Sequence, residues 1–389
     1  MGKRFKVILS TGLAMFSMFF GAGNVVFPLD LGRVAGNLNV YAIIGLLLTA
    51  VTVPFAGLLA MFLFEGNYRA FFERIGKVPG FLVIVVLMFA IGPFIAIPRC
   101  ITLSFSTLKL YMPAVKLVYF SIGACIILYI FTVKRRRILD LLGHVLSPIL
   151  LVSLILLIVK GLFHHPVAPV TDCTRFGIFA YGLREGYNTL DLFGAFFFSV
   201  VILIGLRRAL GKDLETDTPA GKKRFFTITL TASSIAAILL GIVYGGFSYV
   251  ASFYSSVLGT VQQDTQLSVL ASTVLGNYGG IIANVAVSLA CLTTAITLVA
   301  VFAEFMQNEV FKRRFNYSTC LLMTLILSFI VSNLGFMGIK QLSAPILFVF
   351  YPALILLTFL NLAYKFFGFK YVKIPVLIAF VISLFLYLK

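Results

Sequence analysis

Two short stretches of this sequence carry residue types that a plain membrane-crossing helix would not need. The first is FFGAGNVVFP, Phe19 to Pro28, inside an apolar run that begins at Val7. Glycine costs a helix roughly 1 kcal/mol and proline roughly 3, so Gly21-Ala22-Gly23-Asn24 followed by Pro28 points to a broken helix. A break leaves free N–H groups at the start of its second half and free C=O groups at the end of its first. The N–H groups, with the half-helix dipole, suit a carboxylate. The carbonyls suit an ammonium group or a hard cation such as sodium, so one broken helix can hold both ends of a zwitterion. Ala22 and Gly23 would present the N–H groups, and Asn24 is counted with them. The competing reading is a Gly/Pro kink used only for packing. The second stretch is ACLTTAITL, in which Ala290, Thr293 and Thr294 stand at i, i+3 and i+4. That spacing puts a backbone carbonyl and two hydroxyls on one helical face, a set of oxygen ligands for a small hard cation. Threonine in such a helix also bonds its own i−4 carbonyl, and the motif alone leaves both readings open.

The elements that must hold these stretches are membrane helices. The 389 residues are 61% hydrophobic and 11% charged, with 41 Phe and a mean hydropathy of +1.07. One soluble core cannot hide that much apolar surface, so lipid is the solvent and the chain is a polytopic all-α bundle. Runs of about 20 apolar residues predict eleven spans, near 7–28, 40–64, 79–106, 115–133, 145–163, 189–206, 226–254, 279–303, 316–335, 342–363 and 372–388, with the polar pair Ser332-Asn333 blurring the ninth. Loops assigned alternately to two sides place 22 of the 31 Lys+Arg on the side of the N-terminus and 8 on the other, with Arg99 inside the third span. This positive-inside bias predicts a cytoplasmic N-terminus. The net charge of +18 follows from the bias and calls for no nucleic-acid partner. MGKRFK, an apolar stretch and Gly21-Ala22-Gly23 imitate a cleaved signal peptide, but the apolar run continues through Val25, Val26 and Phe27. Cys100, Cys125, Cys291 and Cys320 lie in apolar runs and Cys173 in a polar loop, so no disulfide within the chain is expected. His144, His164 and His165 lack partners at metal-ligand spacing, and no cofactor is expected.

Eleven spans with two comparable breaks suggest a duplicated plan. If spans 1–5 and 6–10 are repeats, the odd number inverts the second relative to the first, a common transporter arrangement. The expected boundaries are about 7–163 and 189–363 within one transmembrane domain covering 1–389, with an extra helix at about 372–388. The sixth span, DLFGAFFFSVVILIG, carries Gly194 and Ser199 early in its run, where the break in span 1 has its counterpart. Arg99, at membrane depth, is a functional residue by default and is read as a gate or a structural partner for a carbonyl or for Asp191. Its alternative is to snorkel to the interface.

The segments FFGAGNVVFPLDLG, AIGPFIAIPRCITLSFS, GYNTLDLFGAFFFSVVI, ACLTTAITLVAVFAEF and VSNLGFMGIKQLSAPILFVFYP, in this order across nearly the whole chain, resemble the bacterial branched-chain amino acid:cation symporters of the BrnQ type. That resemblance implies the LeuT-like five-plus-five inverted repeat of the amino acid/polyamine/organocation superfamily, and uptake of leucine, isoleucine and valine with sodium across the cytoplasmic (inner) membrane. It implies a sodium site formed by Ala290, Thr293 and Thr294 with the carbonyls of Ser17 and Phe20. It also implies substrate contacts at Ala22 and Gly23 for the carboxylate, the Phe19 carbonyl for the amine, and Phe198 with Ser199 on span 6 for the amine or the pocket. The family pattern leads to twelve helices, whereas one span follows the tenth here. Spans 11 and 12 lie outside the five-plus-five core, so the transport site is expected intact and the oligomeric state is left open. Glu304 lies ten residues past Thr294, roughly 15 Å along a helix, near the cytoplasmic end. No acid is therefore expected at mid-depth, and sodium is preferred to protons as the coupling ion. The rival readings are a proton-coupled or exchange carrier for another apolar amino acid, a sensor on the same fold, and a polytopic membrane enzyme. The acidic segment at 213–217 gives little support to an enzyme, because it lies in a strongly basic loop.

Overall fold

Span 1 divides where its glycines fall. Helix α1 (Gly2–Phe19) stops at Phe20-Gly21, and α2 (Ala22–Ala35) begins at once. Gly21 caps α2 in an extended conformation, and its N–H donates to the Asn24 side-chain oxygen at 3.0 Å, a turn that replaces the helical bond lost at the break. Span 2 is α3 (Asn39–Leu47) continued through a π turn into α4 (Val53–Leu63), and the short α5 (Tyr68–Phe72) follows it. Span 3 was expected at 79–106. It runs as α6 (Lys77–Phe89) and α7 (Ala96–Lys109), kinked between them where Gly92 leaves helical geometry beside Pro93, which has no N–H to give to the ladder. Helices α8 (Leu117–Val133) and α9 (Ser147–Phe163) complete the first five spans. This computed structural model describes residues 2–133, 147–163, 166–210, 218–276 and 279–388. The three histidines, the basic run Lys134 to Arg137, Lys212, the acidic segment 213–217 and Lys389 lie outside the described residues.

The sixth span corrects the sequence reading. It begins at Arg175, not near 189, as α10 (Arg175–Asn188), then breaks at Thr189-Leu190 and resumes as α11 (Asp191–Leu210). The break falls upstream of Gly194 and Ser199 and uses no glycine. Leu190 instead takes a left-handed φ of 65°, a conformation that costs a non-glycine residue about 1–2 kcal/mol. Helix α10 carries Arg175, Arg184 and Glu185, a polarity that reads as loop, and Thr174 caps it by accepting the Gly177 N–H at 3.1 Å. Asp191 consequently sits in the middle of the span instead of at its end.

Helix α12 (Pro219–Phe253), two short helices α13 (Ser255–Leu258) and α14 (Gln266–Leu275), α15 (Gly279–Phe305), α16 (Tyr317–Ser332), α17 (Gly335–Phe367) and α18 (Lys373–Leu388) complete the order, and no strand occurs among the described residues. Span 10 thus starts at Gly335 instead of 342. Among the described residues, six helical stretches are long and apolar enough to cross a membrane, with four shorter apolar helices beside them. Among the most extensive contacts, both halves of span 1 lie against α12, while the two halves of span 6 lie against the two halves of span 2. Span 1 to span 7 and span 6 to span 2 are the same pairing exchanged between repeats, as an inverted duplication requires. Glycine permits both approaches. A Cβ on Gly32 would lie 2.0 Å from the Ser248 carbonyl oxygen, and one on Gly182 would lie 2.3 Å from that of Ala42, the close backbone packing that membrane helices use in place of hydrophobic drive.

Candidate functional site

The two breaks face each other across a cavity of about 30 Å³. Phe19, Gly21, Ala22, Gly23 and Asn24 line it from span 1, Arg99 from α7, Thr189, Leu190, Asp191 and Phe198 from span 6, and Thr294 from α15. Its two half-helix N-termini, Ala22 and Asp191, belong to opposite repeats. The Phe19 ring meets Phe198 edge-on at 5.3 Å and Phe55 at 5.4 Å, giving the cavity an aromatic wall for an apolar group. Space for one or two waters is all that this volume provides, so an amino acid requires the walls to part.

Asp191 is 4% exposed and makes no ion pair among the described residues. Its oxygens accept from Asn24 Nδ2 at 2.9 and 2.7 Å and from the Tyr244 hydroxyl at 2.9 Å. Asn24 Nδ2 also donates to Tyr244. The Gly21 N–H on the Asn24 oxygen fixes which end of that amide turns to the carboxylate. Asn24 therefore joins the first break to the second. The Tyr351 hydroxyl accepts the Leu192 N–H at 3.2 Å, answering an unpaired donor of the α11 N-terminus.

Arg99 does not pair with Asp191. It is 1% exposed, donates through Nη1 to the Asn188 carbonyl at 2.9 Å and through Nη2 to Ser343. Asn188 ends α10, so the guanidinium answers a carbonyl left over at a helix C-terminus, where positive charge is favoured. The buried guanidinium thus meets a carbonyl, one of the two partners the sequence offers, and not the Asp191 carboxylate. Arg99 Nε has no protein partner among the described residues.

The oxygens that the sequence groups for a cation lie close together. Thr293 Oγ1 donates to the Ala290 carbonyl at 3.0 Å and lies 3.2 Å from the Ser17 carbonyl, and Thr294 Oγ1 donates to that same Ser17 carbonyl at 3.1 Å. These are hydroxyl–carbonyl hydrogen bonds, and the same oxygens are of the hard type that a small cation takes as ligands. Phe20, buried at the break, donates its N–H to the Phe16 carbonyl at 2.8 Å. Ser199 stands apart from the cavity, its hydroxyl donating to the Phe196 carbonyl at 2.8 Å. Tyr244, Tyr351, Ser343 and Asn188 were not singled out from sequence. Asn188, Ser343 and Tyr351 lay within quoted motif segments, whereas Tyr244 gave no signal.

Each end of the bundle carries a cluster of polar contacts. On the face opposite the N-terminus, buried Asp30 accepts from Arg33, Tyr181, Gln263 and Gln266, and Lys340 donates to Gln263 at 2.7 Å. On the N-terminal face, Arg69 pairs with Glu309, which also accepts from Tyr68 at 3.1 Å. Burial, and then the charge of Glu309, raise the Tyr68 hydroxyl pKa above its ordinary value.

Two broken helices from inverted repeats, meeting at a buried polar cavity, define a LeuT-fold membrane transporter. The same fold appears in solved structures with 14% sequence identity: the Eremococcus coleocola manganese transporter, covering 98% of this chain and 85% of that one at a TM-score of 0.55, and MhsT in complex with L-phenylalanine, covering 97% and 98% at 0.53. Residues 4–389 match the family described as branched-chain amino acid transport protein, and the chain belongs to that family. It is 32% identical to the branched-chain amino acid permease BrnQ of Bacillus subtilis strain 168 over 373 residues, 92% of this chain and 82% of the relative.

Proposed function

We propose that this protein carries leucine, isoleucine and valine across the bacterial cytoplasmic membrane by sodium symport, with its N-terminus in the cytoplasm. The observation that carries the reading is the position of Thr294, which lines the cavity while its hydroxyl bonds the Ser17 carbonyl. A cation held at Ser17, Phe20, Ala290, Thr293 and Thr294 would therefore share a wall with the substrate, and linkage between two such sites is reciprocal. The substrate carboxylate takes the N–H groups of Ala22 and Gly23, and its aliphatic side chain lies against Phe19 and Phe198. The name of the Bacillus subtilis relative supports the substrate class, and the bias of Lys and Arg supports the orientation. The chain works as one domain of two inverted repeats, the second opening at Arg175.

Proton coupling is a second reading, because Asp191 is an acid at mid-depth. Counterflow of labelled leucine into proteoliposomes decides between them. Sodium-dependent leucine accumulation, competed by isoleucine and valine but not by lysine or glutamate, is the expected result. Uptake indifferent to sodium and driven by a pH gradient would establish the second reading. Burial of the aliphatic side chain, about 1.5–3 kcal/mol, sets the scale of discrimination against a polar side chain.

A further inference from the structure

Resting on the reading of the cavity as an amino acid site, we propose that Asp191 receives the α-ammonium group of the substrate and thereby restricts the site to zwitterions. Both half-helix N-termini that face the cavity favour negative charge. At Ala22 no protein carboxylate among the described residues meets that demand, and the neighbour of its N–H is the Cys100 sulfur, which lines the same cavity. At Asp191 the protein meets it with its own carboxylate, so the second terminus presents an anion to the cavity where the first presents donors.

The neighbours of that carboxylate favour its charged form. Asn24 Nδ2 reaches both oxygens and the Tyr244 hydroxyl reaches one of them, and donors aimed at a carboxylate stabilise the anion. A carboxylate buried in a membrane protein without a partner charge is costly. Arg99, the cation that lines the same cavity, is committed to Asn188 and Ser343. The positive group that matches Asp191 must then come with the ligand, and an α-ammonium is such a group. Arg99 supplies the complementary half, since its buried Nε lacks a protein partner and a ligand carboxylate at Ala22 and Gly23 would lie in the cavity that this guanidinium lines. A zwitterion satisfies both charges at once, whereas an amine or an acid alone leaves one of them unmatched in a low-dielectric site.

The test is competition against labelled leucine binding at saturating sodium, with leucine compared against 2-hydroxy-4-methylpentanoate, in which a hydroxyl replaces the ammonium. For the parent protein the hydroxy acid should compete about tenfold to a hundredfold more weakly, the scale set by leaving a buried polar group unpaired. Asp191→Asn should lower leucine affinity about tenfold or more and leave the hydroxy acid within about twofold, so the preference falls by about tenfold or more; a general packing defect would lower both alike. If the Asn variant fails to fold, Asp191→Glu replaces it, with the displaced carboxylate weakening leucine and not the hydroxy acid. Equal competition in the parent overturns the proposal without any variant. So does a folded Asn variant that keeps the parent's preference, or one whose leucine affinity is intact while its sodium requirement rises. A parent that binds no leucine at all would instead defeat the reading of the substrate class.

Discussion

Gly23 faces the second break so closely that a Cβ there would lie 3.1 Å from Thr189 Cα and 3.2 Å from the Asn188 carbonyl oxygen. Gly23→Val should therefore abolish leucine binding while the bundle stays inserted and folded, because the added branches fill the space beside the N–H groups offered to the substrate carboxylate. Size-exclusion behaviour like the parent's combined with unimpaired leucine binding would reduce the break to a packing kink. Thr294 allows a finer comparison. Alanine removes its oxygen with little change in volume, whereas serine keeps the oxygen and loses a methyl. Losing one ligand of a buried cation should raise the sodium needed for half-maximal uptake about tenfold or more, which corresponds to about 1.4 kcal/mol, and Thr294→Ser should stay near the parent. Equal sodium dependence in all three proteins would exclude this hydroxyl from the ion site.

Among the elements, those whose sequence is a local signal were legible and those built by tertiary contact were not. The first break was readable because Gly21, Gly23 and Pro28 each penalise helix, and the clustering of Ala290, Thr293 and Thr294 was readable because they share a helical side. The second break was not, because Thr189 and Leu190 are ordinary helix-compatible residues, and what holds Leu190 left-handed is the surrounding packing. The polar half-helix α10 failed a hydropathy test for the same reason that it works: Tyr181 joins the buried network around Asp30, and Glu185 holds the Asn188 amide at 3.2 Å. Misplacing its start pushed Asp191 to the membrane edge and hid the acid at mid-depth. Glycine seams between elements give a prediction of their own. Gly32→Ala puts a methyl 2.0 Å from the Ser248 carbonyl oxygen, and since backbone cannot turn aside as a side chain can, α2 and α12 must separate. Overpacking of this kind costs about 1–3 kcal/mol or more, so the variant should melt several degrees below the parent in detergent. An unchanged melting temperature would show that the seam yields without cost.

Considered whole, the bundle carries unlike polar clusters at its two ends. Asp30, 1% exposed, is gripped by groups from α2, α10, the segment before α14 and the first residue of α14, while the Arg33 side chain is 29% exposed. The Arg69–Glu309 pair at the N-terminal face has an arginine side chain that is 53% exposed. Ions in solution screen exposed charges beyond about 8 Å at physiological strength and more closely as salt rises, but they barely reach a buried network. The two clusters thus answer to different variables, one to the work of uncovering a buried carboxylate and the other to the ionic strength of the compartment it faces. Raising an inert salt on the N-terminal side at constant sodium should speed leucine exit through that face, Glu309→Gln should reproduce the gain at low salt, and entry through the opposite face should change little. Exit rates in oriented vesicles that ignore both salt and the substitution would show that the pair takes no part in closing that face. Such a response would tie the rate of leucine exit to the ionic strength of the one compartment that the N-terminal face meets.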